Sequence, residues 1–218
     1  TYYYLLARDM GVNMMHDFMK PLGFGQITGI DLKGESKGVL PSTEWKKNTF
    51  KKPEQQKWYE GETISLGIGQ GYNSFTILQL AHAMANVANN GVVMKPHLVK
   101  AIEDPFTRKR TLTTPKESYR IELNPENIEV IKKAMVEVNV SGTSAAAFKG
   151  TNYVVGGKTG TAQVFSLNSK EYKHSATAEF LRDHALYIAF APAEKPTIVI
   201  AMVVENAGFG AQYAAPIA

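Results

Sequence analysis

The sequence predicts an α+β fold, an antiparallel sheet with helices before and after it. Three observations predict it. Up to about residue 140, apolar side chains recur at the spacing of helices that bury one face. From residue 153 onward the pattern changes to strand-like runs, at 153–164, 185–191 and 197–204. The connection from Pro192 to Pro196 is five residues long, which permits a hairpin and excludes a helical crossover, so the last two strands are antiparallel.

Residues 1–10 suit a helix that ends near Gly11, because glycine readily adopts the left-handed conformation that closes a helix. Asn13 is placed to cap a second short helix reaching Lys20, where Pro21 stops it. Residues 21–62, rich in Gly, Pro and charge, read as loops with short turns. Ser74 to Asn90 reads as a helix with Ile77, Leu80, Ala81, Met84 and Val87 on its apolar face, stopped by Asn89-Asn90-Gly91. Val92 to Ile102 is extended, with an interruption at Pro96. Asn124 caps a further helix with Pro125 at its first position, and Ile128, Ile131, Met135 and Val138 form its expected buried stripe. The strands at 185–191 and 197–204 are continuously apolar, which implies cover on both faces. The 153–164 strand carries glycines, a lysine and a glutamine, as an edge strand beside a cleft does. Ala211–Ala218 begins a last helix.

A chain of 218 residues suffices for one domain with a real core, and 20% charged residues exclude a disordered or fibrous chain. The net charge of +4, with acids and bases interspersed, is too mild to indicate a nucleic-acid partner. The densest basic cluster, Lys46-Lys47 with Lys51-Lys52, reads as a solvated loop. The absence of cysteine excludes disulfides, thiolate catalysis and cysteine-based zinc sites. No apolar run reaches membrane-spanning length; the longest, Ile198 to Val204, is strand-sized. The chain opens without Met on an apolar segment, Thr1 to Leu6, that reads as a helix already under way, and the expectation is a piece of a longer protein.

Lys158-Thr159-Gly160-Thr161 is the segment richest in chemical potential, lying between Gly156-Gly157 and Ala162-Gln163-Val164. Gly160 has no side chain, so a bound acyl group can lie against the strand. The amide of Thr161 is a candidate oxyanion donor. The Thr159 and Thr161 hydroxyls are candidate carboxylate ligands, and Lys158 adds positive potential at the same place. A peptide-like ligand can pair along such an edge as an added strand. The plain alternative is a polar strand end or turn, since short motifs recur by chance.

Penicillin-binding proteins and class A β-lactamases carry three elements in order: S-x-x-K, then S-D-N or a variant, then K-T-G. Lys158-Thr159-Gly160 matches the third. Around it, nearly the whole chain resembles the C-terminal part of the transpeptidase domain of the class B penicillin-binding protein 2 family, which serves rod-shaped cell elongation. The resemblance runs through Asp9-Met10-Gly11, Gly29-Ile30-Asp31-Leu32, Trp45-Lys46 and Trp58-Tyr59-Glu60-Gly61-Glu62-Thr63. It continues through Gly67-Ile68-Gly69-Gln70-Gly71-Tyr72, Lys95-Pro96-His97-Leu98, Leu181-Arg182-Asp183-His184, Ala189-Phe190-Ala191-Pro192 and Glu205-Asn206. It implies the β-lactamase-like transpeptidase fold, present as a C-terminal fragment spanning 1–218. It also implies a serine acyl-enzyme that cross-links peptidoglycan stem peptides and is acylated by β-lactam antibiotics, with no cofactor. Thr161 then supplies an oxyanion amide. A periplasmic domain on an inner-membrane anchor, and partners in the elongation cell-wall machinery, follow from the same resemblance.

The chain departs from the family by lacking any S-x-x-K. In the family the second motif ends directly before the segment matching Thr1-Tyr2-Tyr3-Tyr4, so both serines are expected upstream, in another part of the same domain. Ser166-Leu167-Asn168 has that motif's spacing but follows Lys158, and reads as chance. The chain alone is expected to be inactive. A D,D-carboxypeptidase or β-lactamase, a β-lactam-sensing domain, and a scaffold without activity remain alternatives. His16, His82, His97, His174 and His184 lack metal-ligand spacing, and Met10, Met14, Met15 and Met19 read as packing residues. Gly67 to Gly71 lacks phosphate-loop spacing and reads as a turn. The polar stretch Ser166–Arg182 reads as a loop or a flap beside the cleft.

Overall fold

The computed structural model describes residues 1–164 and 177–218. The chain is described as two compact units, Thr1–Asn86 with Gly91–Glu122, and Val87–Asn90 with Leu123–Ala218. Ser166-Leu167-Asn168, His174 and most of the Ser166–Arg182 stretch lie outside the described residues.

In the first unit, α1 (Tyr2–Met19) is two helices run together across Gly11, whose φ of 74° and ψ of 158° break the helical path where expected. Asn13 does not cap the second piece. Its Oδ1 lies 3.1 Å from both the amide and the hydroxyl of Thr43, so it ties α1 to the start of α2 (Thr43–Thr49). The α-helix ends at Met19 with Lys20 as its C-cap, so the stop ahead of Pro21 stands where expected. Pro21 sits in a 3-10 turn, Lys20–Leu22, that ends at left-handed Gly23. The presumed loop at 21–62 contains α2, α3 (Pro53–Gln56) and the start of α4 (Glu60–Leu66). These helices are too short to show periodicity, and side-chain caps define two of them. The Ser42 hydroxyl accepts the Trp45 amide at 3.0 Å, and the Glu62 carboxylate accepts the Tyr59 amide at 2.8 Å.

Lys46 is not in a solvated loop. Its side chain is 4% exposed, forms an ion pair with Glu62 and donates to the Lys57 carbonyl at 2.8 Å. The ammonium also lies 5.3–5.6 Å from the ring centroids of Trp58, Tyr59 and Tyr72. Lys47, Lys51 and Lys52 are exposed as expected. Burial alone would raise the Glu62 pKa, but hydrogen bonds from Lys46, the Tyr59 amide and the Tyr72 hydroxyl bring it below the ordinary carboxylate value.

Helix α5 (Ile77–Ala88) opens on a reciprocal cap: Gln79 Oε1 accepts the Thr76 amide at 2.9 Å and Thr76 Oγ1 accepts the Gln79 amide at 3.1 Å. The predicted stripe is corrected. Met84 and Ala83 are buried, but Gln79 and Asn86 are deeper still, while Ile77, Leu80, Ala81 and Val87 are half-buried. The polar pair is there because it holds loops: Gln79 donates to the carbonyls of Gln26 and Lys37, and Asn86 to that of Leu22. The Asn89-Asn90-Gly91 stop holds, with the Gly91 amide bonded to the Asn86 carbonyl at 2.8 Å. The extended region resolves into β1 (Val92–Met94) and β2 (Ala101–Glu103), paired antiparallel with β4 (Glu117–Arg120) and β3 (Arg110–Leu112) respectively. The turn at Gly67–Gly71 spends its Gly67, Ile68, Gly69 and Gln70 amides on carbonyls of α4, which leaves none of these four for a phosphate.

In the second unit, α6 (Pro125–Val140) is capped by Asn124, whose Oδ1 accepts the amides of Glu126 and Asn127. Its buried side is Ile128, Lys132 and Asn139, with Met135 half-buried, not the expected row through Ile131, which is 47% exposed. Lys132 reaches Asn90 Oδ1 at 2.6 Å, which explains how a lysine occupies that side. A one-turn α7 (Ala145–Phe148) follows. The sheet has the order β5 (Gly156–Ala162), β6 (His184–Ala191), β7 (Ile198–Val204), antiparallel throughout, so β5 is an edge strand and the 192–197 hairpin is as expected. β6 is buried at alternate positions, while no residue of β7 is fully buried and Ile198 is 60% exposed. The expectation of cover on both faces therefore fails for β7 among the described residues. The core gathers Val155, Ala185, Tyr187, Ala189, Ala214 and Ala215. The last helix, α8 (Gly210–Tyr213), is a single turn rather than a helix running through 211–218.

Candidate active site

All four motif residues lie on β5, in register with β6: Lys158 opposite Ile188, Thr159 opposite Tyr187, Gly160 opposite Leu186 and Thr161 opposite Ala185. Lys158 is exposed, and Thr159, Gly160 and Thr161 are half-buried, so the motif lies at the surface of an edge strand and not inside the core. Strand alternation sends Thr159 and Thr161 to one face and Lys158 to the other. Lys158 Nζ donates to the Thr159 carbonyl at 2.8 Å. Partial desolvation lowers its pKa from the ordinary lysine value.

Two close approaches fix this strand. A Cβ at Gly157 would stand 2.0 Å from the Tyr187 hydroxyl, so only glycine leaves that phenol room. Tyr187 is fully buried and donates to Asn139 Oδ1 at 2.7 Å; the Ser144 hydroxyl meets the same oxygen at 2.6 Å, and Asn139 Nδ2 donates to the Val155 carbonyl at 2.8 Å. This satisfied network binds α6 to the start of β5. At the other end, a Cβ on Gly210 would lie 2.4 Å from the carbonyl oxygens of both Gly160 and Leu186. Helix α8 thus seats backbone to backbone on the motif. Gly210→Ala is expected to destabilise the second unit by about 1–3 kcal/mol through this overlap, read as a lower thermal midpoint. An unchanged midpoint would mean that α8 slides off without cost.

Beyond β5, Asn206 donates from Nδ2 to the carbonyls of Phe180 and Arg182, and its amide donates to His184 Nδ1. Two stretches distant in sequence, 181–184 and 205–206, therefore meet at the end of the sheet. His82 and His97 bond backbone carbonyls, at 3.1 and 3.0 Å. Met10, Met15 and Met19 are half-buried, and Met14 is exposed. Sequence reasoning missed Thr143, whose Oγ1 lies 2.9 Å from Thr159 Oγ1. It also missed Asn139, Tyr187 and Gly210 behind the strand. Only the glycines at 208 and 210 hinted at a close approach.

An edge strand bearing lysine, two threonines and an intervening glycine, on an antiparallel sheet backed by helices, is the arrangement of a penicillin-binding transpeptidase fold. The model of the penicillin-binding protein transpeptidase domain matches residues 1–218, and the chain belongs to that family. It is 41% identical over its whole length to peptidoglycan D,D-transpeptidase MrdA of Haemophilus influenzae, covering 33% of that protein, and 42% identical to MrdA of Acinetobacter baumannii, covering 32%. Its structure is similar to that of Pseudomonas aeruginosa PBP2 in complex with WCK 5153, with a TM-score of 0.80 and 37% identity, covering 100% of this chain and 43% of the other. It is also similar to Helicobacter pylori PBP2 solved in complex with MreC, with a TM-score of 0.77 and 26% identity, covering 99% and 36%. The chain spans about a third of the length of these curated relatives.

Proposed function

We propose that this chain is the C-terminal part of the transpeptidase domain of an elongation-type peptidoglycan D,D-transpeptidase. The observation that carries the reading is the accessible Lys158-Thr159-Gly160-Thr161 edge strand within a whole-chain family match. Upstream polypeptide supplies the serine. Its Oγ attacks the carbonyl carbon of the D-Ala-D-Ala bond, the C–N bond breaks, and D-alanine leaves with the proton. An amine of a neighbouring stem peptide then attacks the ester carbonyl, and the serine recovers its proton. Through these steps the Thr161 amide faces the developing oxyanion, the Thr159 and Thr161 hydroxyls hold the terminal carboxylate, and Lys158 adds positive potential. β-Lactams acylate the same serine. The chemistry requires no metal or organic cofactor. The domain works in the periplasm on an inner-membrane anchor, with partners in the elongation machinery; the H. pylori PBP2–MreC complex supports the last point.

Labelled penicillin tests the reading. The full-length protein is expected to take up one equivalent on a serine, and residues 1–218 alone none. A stoichiometric adduct on the isolated chain would refute the upstream nucleophile, and no adduct on the full-length protein would refute the activity.

A further inference from the structure

Thr143 lies in the turn after α6, on the side of β5 where Thr159 emerges, and the two hydroxyl oxygens are 2.9 Å apart. The turn that presents it is anchored from below. Ser144 is 1% exposed and bonds Asn139, which also receives the Tyr187 hydroxyl and grips the Val155 carbonyl. Thr143 itself is exposed, so no core packing depends on its side chain. A hydroxyl has one proton to give. If Thr159 gives its proton to Thr143, it has none for a ligand; if Thr143 gives its proton to Thr159, the Thr159 proton is free. A carboxylate only accepts, so its arrival selects the second arrangement.

We propose that Thr143 is a positioning residue for carboxylate recognition: it donates to Thr159 Oγ1 and thereby aims the Thr159 proton at the carboxylate of a stem peptide or β-lactam. This rests on the transpeptidase reading above. The test compares acylation of the full-length protein by benzylpenicillin and by its methyl ester, which lacks the carboxylate charge. Thr143→Val is expected to slow acylation by the free acid about tenfold and leave the ester rate unchanged. Thr143→Ser, which keeps the hydroxyl, restores the free-acid rate. Equal losses for both ligands, no loss for either, or failure of the serine variant to restore the rate would overturn the assignment to Thr143 while leaving the transpeptidase reading in place. Failure of the unmodified protein to be acylated would instead refute that reading, and this proposal with it.

Discussion

Replacing Lys158 by alanine in the full-length protein is expected to slow acylation by labelled penicillin by about 10²–10³-fold, the scale of losing one preorganised electrostatic donor, with the thermal midpoint unchanged. Lys158 is exposed and its ammonium bonds only the neighbouring Thr159 carbonyl among the contacts described, so its removal leaves no hole. On the proposed function the effect falls on the chemistry, through the positive potential that Lys158 adds to the motif strand. Its pH dependence follows from the sign of its shift. Desolvation lowers the Lys158 pKa, so the folded protein gives up this proton before the unfolded chain does. The cation is lost as pH rises through a value below the ordinary ~10.4 of lysine. Acylation should fall on that alkaline limb, and the limb should vanish in Lys158→Ala. Acylation at the unmodified rate in the variant would remove Lys158 from the mechanism.

The second large effect is on stability. Glu62→Met is expected to cost about 3–5 kcal/mol in denaturant unfolding, because it strands the Lys46 ammonium, 4% exposed, with one carbonyl and three ring faces. Lys46→Met should cost less, about 3 kcal/mol, since Glu62 keeps the Tyr59 amide and the Tyr72 hydroxyl. The double variant should return to within about 1 kcal/mol of the parent, because a well-packed apolar pair replaces a buried ion pair without an orphaned charge. Additive losses in the double variant would show that the pair is not coupled. Glu62 has a lowered folded pKa, so its contribution is present above its unfolded value, near 4.3, and is lost as pH falls through the folded value.

The legible parts of the fold were those written in local chemistry. Gly11, the Asn124-Pro125 cap, the Asn89-Asn90-Gly91 stop and the short 192–197 hairpin each act within a few residues, and each stands where expected. The motif strand and its edge position were also readable, since glycine and lysine in an otherwise apolar sheet mark a strand open on one side. What was hidden depends on long-range partners. Lys46 looked like one of four surface lysines because its partner is sixteen residues away in a helix too short to have a period. Gln79 and Asn86 broke the apolar stripe of α5 because loops remote in sequence end on them. Thr143 had no sequence signal, since only the folding of α6 against β5 brings it to Thr159.

The fit of Tyr187 beneath Gly157 also has a consequence for how such a site can change over generations. With a phenol filling the one space where residue 157 could grow, the ribbon under the cation has no freedom to drift. On the proposed function, variation that retunes ligand preference enters from the rim, through the exposed turn at 141–143 or at the exposed Gln163 and Val164, where a new side chain meets solvent before it meets the core.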